Sequence, residues 1–287
     1  MAIHNRVQNK ARSIKDPAGR EVRILEDAQA IKLADASGFT VHDVYRESLK
    51  AGVYPYRYIR NRDIISMEEQ LKLAESRVAV IGVGGLGGNV ILLLARLGIG
   101  HLVVVDRDIF DETNLNRQAL CSRENLGQSK SGEALALVAL INPGVVVTAH
   151  QTGLDAANGP DILAGCDVIV DALDTVSGRL MLEEVAKSLE VPLVHGALAG
   201  FQGQLMTIMP GDAGLKKIYM PEATPEDGSH RPEAVLGVPS VTASFVATLQ
   251  VMEVIKILLG RGKPFRNMMV YADLEEGELN QFSFDPR

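Results

Sequence analysis

The side chains best suited to chemistry in this sequence lie in a polar stretch from Asp106 to Gln118, which reads DRDIFDETNLNRQ. Its carboxylates and amides, Asp108 and Asn114 among them, are close in sequence to Arg117. Such a set is poorly suited to hydride transfer and well suited to binding phosphates together with a metal ion. Lys130 follows at the start of a predicted helix, where it could contact a phosphate or simply be solvated.

Two further carboxylates, Asp171 and Asp174, follow a predicted strand at 167–170. Ligands bind beyond the carboxyl ends of the strands in open α/β sheets. Asp171 could be only a turn residue. Asp174 is the better candidate for Mg²⁺, since hard cations prefer carboxylate oxygens and water.

A glycine-rich turn precedes these residues and reads Gly82-Val83-Gly84-Gly85-Leu86-Gly87. It joins a predicted strand (78–81) to a predicted helix (89–97), and the next strand (102–105) ends on Asp106. This is the G-x-G-x-x-G pattern of nucleotide-binding βαβ units, with an acidic residue about 20 positions on that can accept from ribose hydroxyls. The glycines and the helix start favour phosphate binding. ATP and NAD both remain open on this stretch alone.

The elements that must position these residues alternate as βαβαβαβαβ between 78 and 197. The pattern predicts an α/β fold with a Rossmann-like, mainly parallel sheet and helices on both faces. A strand at 203–209 has no helix after it, and 210–237 is loop-like, as a flexible cover over a groove would be. A helix at 241–259 and strands at 268–272 and 280–284 follow. Antiparallel strands therefore extend the sheet on the C-terminal side.

Residues 1–52 are predicted to form a small helical N-terminal extension, and 53–287 the nucleotide-binding domain. Helical segments lie around 31–34 and 41–49. Directly after them, the stretch from Tyr56 to Asp63 contains three arginines and two tyrosines. Arginine is suited to clamping phosphates, but the same stretch could be a solvated turn.

Charge and cysteine content exclude several classes of protein. A net charge of -7 argues against general nucleic-acid binding. Two cysteines without a C-x-x-C pair can build neither a disulfide framework nor a four-cysteine zinc site, and they suit a reducing cytoplasm. The apolar segment 238–259 is interrupted by Gln250, Glu253 and Lys256, which predicts a buried helix rather than a membrane span. We therefore expect a cytoplasmic protein that is not bound to a membrane.

From about Tyr56 to the C-terminus, the sequence resembles the ThiF/MoeB/HesA family, bacterial relatives of the ubiquitin-activating enzymes. The motifs that carry the resemblance occur in the family's order and spacing. They are Arg57-Tyr58-x-Arg60-Asn61, the Gly82–Gly87 turn, Asp106-x-Asp108, Asn114-x-x-Arg117-Gln118, Gly127-x-x-Lys130, Asn142-Pro143, Asp171-x-x-Asp174, Gly203-Gln204 and Met252-Glu253-x-Ile255-Lys256.

The resemblance implies ATP-dependent adenylation of the C-terminal glycine of a ubiquitin-like sulfur-carrier protein ending in Gly-Gly, in thiamine, molybdenum-cofactor or related sulfur chemistry. It places the nucleotide at Gly82, Gly84, Gly85, Leu86 and Gly87. It implies that Asp106 binds the ribose, that Arg117 and Lys130 contact phosphates with Asp108, Asn114 and Gln118 nearby, and that Asp174 engages Mg²⁺ and phosphates. It further implies that Arg60, rather than Arg62, reaches the neighbouring subunit's ATP in a symmetric homodimer.

Departures from the family narrow this expectation. Many members hold structural zinc with two C-x-x-C pairs, and this chain has neither, so no zinc site is predicted. Residues 201–287 contain no cysteine, so we expect adenylation without an enzyme thioester and sulfur delivered by another protein. Cys121 is expected to be a small packed side chain rather than a nucleophile.

Three alternatives stay open from the sequence. The same activation could act on another acceptor, such as a tRNA nucleoside or a peptide. The glycine turn also allows an NAD-binding oxidoreductase, which would leave Asn114, Arg117, Gln118 and Lys130 without a purpose. A non-catalytic scaffold is the third alternative, although every charged site residue is present.

Overall fold

The computed structural model describes residues 3–219 and 232–284. The chain divides into two compact units. The first comprises Met1–Ser76, Ala95–His101 and Val138–Val146. The second comprises Arg77–Leu94, Leu102–Leu137 and Val147–Arg287.

The first unit combines helices with a three-stranded sheet. In chain order its elements are α1 (Ile3–Lys10), β1 (Arg12–Lys15), β2 (Glu21–Leu25), α2 (Asp27–Asp35), α3 (Val41–Lys50), β3 (Tyr54–Pro55) and α4 (Met67–Glu75). Strand β2 pairs antiparallel with β1 and parallel with β3. Thr40 and Ser66 begin α3 and α4, each with a capping box that satisfies backbone N–H groups at the helix start.

The prediction that residues 1–52 are helical is wrong for β1 and β2. The Asp16 carboxylate accepts hydrogen bonds from the backbone N–H groups of Ala18 and Arg20, at 2.9 and 2.8 Å. Gly19 adopts a φ of +80°, a conformation that costs glycine little. Together these features form a tight turn, which folds the two flanking segments into a hairpin.

The first unit also continues beyond the predicted boundary at residue 52. The buried Asn142 amide donates to the Tyr58 hydroxyl at 2.8 Å and to the Ala95 carbonyl at 2.7 Å. One side chain thus joins three separate segments of the chain within this unit. The Asn142-Pro143 motif therefore has a structural role here, which its sequence alone does not reveal.

From residue 77 on, strands and helices alternate as predicted. The elements are β4 (Arg77–Ile81), α5 (Gly85–Leu97), β5 (His101–Val105), α6 (Lys130–Ile141), β6 (Val146–His150), α7 (Gly159–Leu163), β7 (Val168–Asp171), α8 (Val176–Ser188), β8 (Leu193–Ala199), β9 (Gln202–Ile208), α9 (Pro232–Leu236), α10 (Ser240–Leu259), β10 (Met268–Asp273) and β11 (Glu278–Ser283). The predicted loop at 210–237 contains α9 and a short 3-10 turn, Gly214–Lys217, while 220–231 fall outside the described residues.

These strands form one eight-stranded sheet in the order β11-β10-β9-β8-β7-β4-β5-β6. Strands β4, β7 and β8 pair in parallel, whereas β9, β10 and β11 add antiparallel. The predicted fold class is confirmed. Strand β4 lies between β7 and β5, so the chain order reverses beside β4, which is where ligands bind in open α/β sheets.

Helix α10 packs on β8 and β9 of this sheet. It is long and apolar enough to cross a membrane, but 56% of its apolar window is buried within the protein. Its polar interruptions have partners in the second unit. The Glu253 carboxylate accepts from the Thr207 hydroxyl and the Phe265 N–H, each at 2.6 Å. Gln250 donates to the carbonyls of Asp171 and Val194, at 2.8 and 3.1 Å. These contacts are those of a buried core helix.

Candidate active site

A cavity of about 1000 Å³ opens in the second unit at the carboxyl ends of the parallel strands. Parallel pairing sets Ile81 beside Asp171 and Asp171 beside His195, so the segments that follow β4, β7 and β8 emerge side by side. The cavity is lined by most of the predicted nucleotide-site residues. These are Gly82, Gly84, Gly85, Leu86, Asp106, Asp108, Asn114, Arg117, Gln118, Lys130 and Asp174.

The glycine turn has the shape that its sequence predicts. Gly82 has a φ of +97°, and a Cβ there would lie 2.5 Å from the Ala172 carbonyl oxygen. A Cβ on Gly87 would lie 1.8 Å from the Gly82 carbonyl oxygen. At Gly84, by contrast, the nearest atom to a Cβ would be the Gln118 amide nitrogen at 3.9 Å. Gly82 and Gly87 are thus required by the fold, whereas Gly84 borders open space that a ligand can enter.

Replacing Gly87 by alanine should therefore lower the stability of the fold, and any loss of activity should follow from that. The methyl group must displace backbone atoms, and overpacking of this kind costs about 1–3 kcal/mol. We expect a lower midpoint of thermal unfolding and weaker ATP binding. Gly211→Ala is the matched control, because a Cβ there meets no atom within 4 Å. Equal midpoints for the two variants would contradict this account of the turn.

Asp106 serves the turn as well as facing the cavity. Its carboxylate accepts from the Val83 N–H at 2.6 Å and the Asp108 N–H at 2.8 Å. Burial raises the pKa of Asp106, and these two N–H groups oppose that rise. Each oxygen keeps a second lone pair that could accept from a ribose hydroxyl.

The polar loop after β5 carries one buried polar atom without a partner. Asn114 accepts the Asp111 N–H at 3.1 Å and closes a capping box. Arg117 donates to the Thr113 carbonyl at 2.7 Å and also lines the cavity. The side-chain oxygen of Gln118 is buried and has no hydrogen-bond partner in the described structure. Gln118 is among the residues that line the cavity.

Lys130 begins α6, as predicted, and supplies a largely buried positive charge. Its side chain is 9% exposed, and its ammonium lies 3.4 Å from the Asp108 carboxylate. Its backbone N–H donates to the Asp108 carbonyl at 3.0 Å. This position at the cavity wall favours phosphate contact over simple solvation.

The carboxylates after β7 differ in their surroundings. Asp171 is fully buried and accepts from the Leu173 N–H at 2.9 Å and from the His195 ring at 2.7 Å. Asp174 is exposed, lines the cavity and has no hydrogen bond to another described residue. Of the two, only Asp174 is free to engage a ligand.

A buried hydrogen-bonded chain behind the cavity escaped the sequence analysis. Burial lowers the pKa of His195, so its ring is neutral at pH 7. With Nδ1–H donating to Asp171, Nε2 accepts from the Tyr219 hydroxyl at 3.1 Å. That hydroxyl accepts from Arg179 at 3.0 Å, and Arg179 also donates to the Leu173 carbonyl.

Arg179 is the cavity residue that sequence reasoning missed most clearly. It lies in the first turn of α8, whose N-cap Thr175 accepts the Gly178 N–H at 3.2 Å, and all three of these residues line the cavity. Its spacing of five positions from Asp174 could have suggested that both reach the same site. His195 is fully buried.

Arg60 belongs to the first unit and is not among the residues that line the cavity. It is exposed and has no hydrogen bond or ion pair with another described residue. The two other arginines of its turn are bound within the first unit, Arg57 to Asp27 and Arg62 to Asp16.

Neither cysteine has the surroundings of a nucleophile. Cys121 is half-buried with its sulfur 3.9 Å from the Asp111 carbonyl, and burial raises the pKa of its thiol. A thiol with a raised pKa is a poor source of thiolate. Cys166 is buried in the core of the second unit. Within residues 3–219 and 232–284, no group of three His, Cys, Asp or Glu side chains could hold a metal ion by itself.

The site fits an adenine nucleotide with Mg²⁺. The space beside Gly84 and the buried Lys130 charge suit phosphates. Asp174 supplies one free carboxylate. Mg²⁺ commonly uses one or two carboxylates together with substrate phosphates, so a full protein cage is not required.

The fold and cavity thus define a nucleotide-binding protein of the Rossmann-like class. Its chain belongs to the ThiF family, whose model matches residues 57–287.

Among curated relatives, the chain is 38% identical to the SAMP-activating enzyme E1 of Haloferax volcanii, covering 76% of this chain and 80% of that protein. It is 33% identical to the sulfur carrier protein ThiS adenylyltransferase of Escherichia coli, over 73% and 82% of the two chains. The adenylyltransferase and sulfurtransferase MOCS3 of Arabidopsis thaliana is 32% identical, and this chain spans 54% of it.

Solved structures confirm the fold. A structure of Escherichia coli MccB with MccA-N7isoASN superposes with a TM-score of 0.69 at 19% identity, covering 80% of this chain and 72% of that one. A structure of PaaA gives a TM-score of 0.67 at 21% identity, covering 80% and 82%.

Proposed function

We propose that this protein uses ATP to adenylate the C-terminal glycine of a ubiquitin-like sulfur-carrier protein ending in Gly-Gly. The observation that carries the proposal is the cavity, which is lined by the glycine turn, the buried Lys130 charge and the free carboxylate of Asp174. The named activities of the curated relatives support the same reaction.

In this reaction a carboxylate oxygen of the carrier attacks the α-phosphorus of ATP. A new P–O bond forms, the bond to the β-phosphate oxygen breaks, and pyrophosphate leaves. The enzyme needs no covalent step, because alignment of the reactants and neutralisation of phosphate charge supply the acceleration. Lys130 and Arg117 stabilise negative charge on the phosphates, and Asp106 holds the ribose. Asp174 would help to hold Mg²⁺, which would supply further positive charge beside the phosphates.

The acyl adenylate is the final product that this protein forms, and another protein delivers the sulfur. Residues 201–287 contain no cysteine for an enzyme thioester, and Cys121 is not poised as a nucleophile. No structural zinc is part of the proposal, since no C-x-x-C pair exists to bind it. A net charge of -7 favours a protein acceptor over tRNA. We place the reaction in the cytoplasm, away from membranes.

ATP–pyrophosphate exchange with Mg²⁺ tests the proposal. We expect exchange only when a carrier ending in Gly-Gly is added, and none with a carrier truncated by its last two residues. Exchange with a peptide or a tRNA, but with no such carrier, would show a different acceptor. Binding of NAD without binding of ATP would refute adenylation altogether.

We propose further that the protein is a symmetric homodimer in which Arg60 reaches the partner's ATP. Arg60→Ala chains keep their own nucleotide cavity, whereas Lys130→Ala chains keep Arg60. Mixing the two impaired variants should therefore restore part of the exchange activity through mixed dimers. Activity no greater than that of either variant alone, in a mixture shown to contain mixed dimers, would contradict action across the dimer.

A further inference from the structure

We propose that the N-terminal extension positions Arg60 for catalysis by binding the two arginines on either side of it. The extension lies outside the residues that the family model matches, which begin at Arg57. This inference rests on the proposed function, because that function gives Arg60 its phosphate. It assigns positioning roles to two extension carboxylates, Asp16 and Asp27.

Asp16 binds the C-terminal side of the turn that carries Arg60. Its side chain is buried, and its carboxylate forms an ion pair with Arg62. It also accepts from the Arg20 side chain at 2.8 Å, and Arg20 in turn pairs with Asp63. The hairpin between β1 and β2 is thereby joined to both Arg62 and Asp63.

Asp27 holds the N-terminal side of the turn. Its carboxylate accepts from the Arg57 side chain in a two-point ion pair, with one contact of 3.1 Å. The Tyr45 hydroxyl donates to the same carboxylate at 2.5 Å. The Arg57 guanidinium also donates to the Ile141 carbonyl at 2.7 Å. A two-point arginine–carboxylate pair fixes orientation as well as distance.

Both carboxylates are held in the charged state that this role requires. Burial acts to raise the pKa of Asp16 and of Asp27. Hydrogen bonds from Arg20 and Ala18 in the first case, and from Arg57 and Tyr45 in the second, hold each pKa below its ordinary value.

Arg60 lies between Arg57 and Arg62 in the sequence. Of these three arginines, only Arg60 has no partner among the described residues. The backbone around it is a compact turn in which Asn61 N–H donates to the Tyr58 carbonyl at 2.9 Å. Ile64 and Ile65 N–H donate to the Asn61 carbonyl at 2.9 and 2.8 Å. Tyr58 is buried at 3% exposure. The flanking arginines are thus prevented from competing for a phosphate, and the exposed Arg60 is presented from a fixed backbone.

The test combines variants of the extension with removal of Arg60. We expect Asp16→Asn and Asp27→Asn each to lower the maximal rate of carrier-dependent exchange about tenfold, with the Kd for ATP changed less than twofold. In an Arg60→Ala background the same substitutions should cause no further loss. Glu75→Gln is the matched control, because Glu75 pairs with Arg46 in the same unit and is not bound to the turn.

Hydrogen–deuterium exchange of the full-length protein gives a readout independent of activity. At a temperature well below every midpoint of thermal unfolding, the amides of Asn61, Ile64 and Ile65 should exchange faster in Asp16→Asn than in the wild type or Glu75→Gln. Unchanged amide exchange, unchanged rates, or an equal loss of rate with and without Arg60 would each overturn the inference. Absence of carrier-dependent exchange in the wild type would instead refute the proposed function, while the amide measurement would still decide whether the extension holds the turn.

Discussion

Asp174→Asn should lower carrier-dependent ATP–pyrophosphate exchange by about 10²–10³. Asp174 is an exposed carboxylate on the cavity wall without a hydrogen bond to another described residue. The amide keeps the shape of the side chain and removes the charge that Mg²⁺ and its phosphates require. The loss should therefore fall on the maximal rate and on the Mg²⁺ dependence, with the midpoint of thermal unfolding unchanged.

Asp161→Asn is the matched control, since Asp161 is an exposed aspartate of the second unit that does not line the cavity. It should exchange at the wild-type rate. Full activity of Asp174→Asn at every Mg²⁺ concentration would remove Asp174 from the proposed site.

Lys130→Met should have an effect of similar size, about 10²–10³ in exchange rate. Methionine replaces the apolar stem of Lys130 and removes the ammonium of a side chain that is 9% exposed at the cavity wall. Such a charge acts strongly on phosphates because water screens it little. Its ion-pair partner Asp108 is 57% exposed, so the carboxylate left behind is solvated and the fold should persist.

Lys216→Met controls for the loss of a lysine, because Lys216 forms a surface ion pair with Glu184, and both side chains are more than half exposed. Surface pairs of this kind contribute little to stability. Calorimetric titration should show weaker ATP binding, and the exchange assay a lower rate, for Lys130→Met than for Lys216→Met. If the two variants behaved alike, phosphate contact by Lys130 would be excluded.

The sequence determined the second unit well because its signals are local. Fully buried strands such as β4 and β7 appear as short, β-branched apolar runs. The glycine turn follows β4 directly. Two of its residues must be glycine because other backbone atoms lie too close for a side chain: Gly87 lies against Gly82, and Gly82 lies against Ala172, which follows the neighbouring strand β7. The polar segments after each strand meet at one edge, because parallel pairing brings carboxyl ends together. The predicted site residues that line the cavity lie at this edge.

Helices α2 and α3 lie where the sequence predicts helical segments, but the strands of the extension were missed. Strand β2 pairs with β3, which is only two residues long and gives little sequence signal. The hairpin turn is joined to Arg62, 46 residues away from Asp16. Neither contact follows from periodicity or local propensity.

The tertiary structure also decided which charged groups are free, and this is the information the sequence lacks. Three arginines within six positions look equivalent in the sequence. Asp27 binds Arg57 across 30 residues and Asp16 binds Arg62 across 46, which leaves Arg60 exposed. Asp171 is likewise bound to His195, 24 residues away, while Asp174 is free. The sequence by itself determined the family, the sheet and the residue types at its edge. Only folding assigned each charge either to a buried partner or to the ligand, because that choice depends on which distant side chains come within hydrogen-bonding reach.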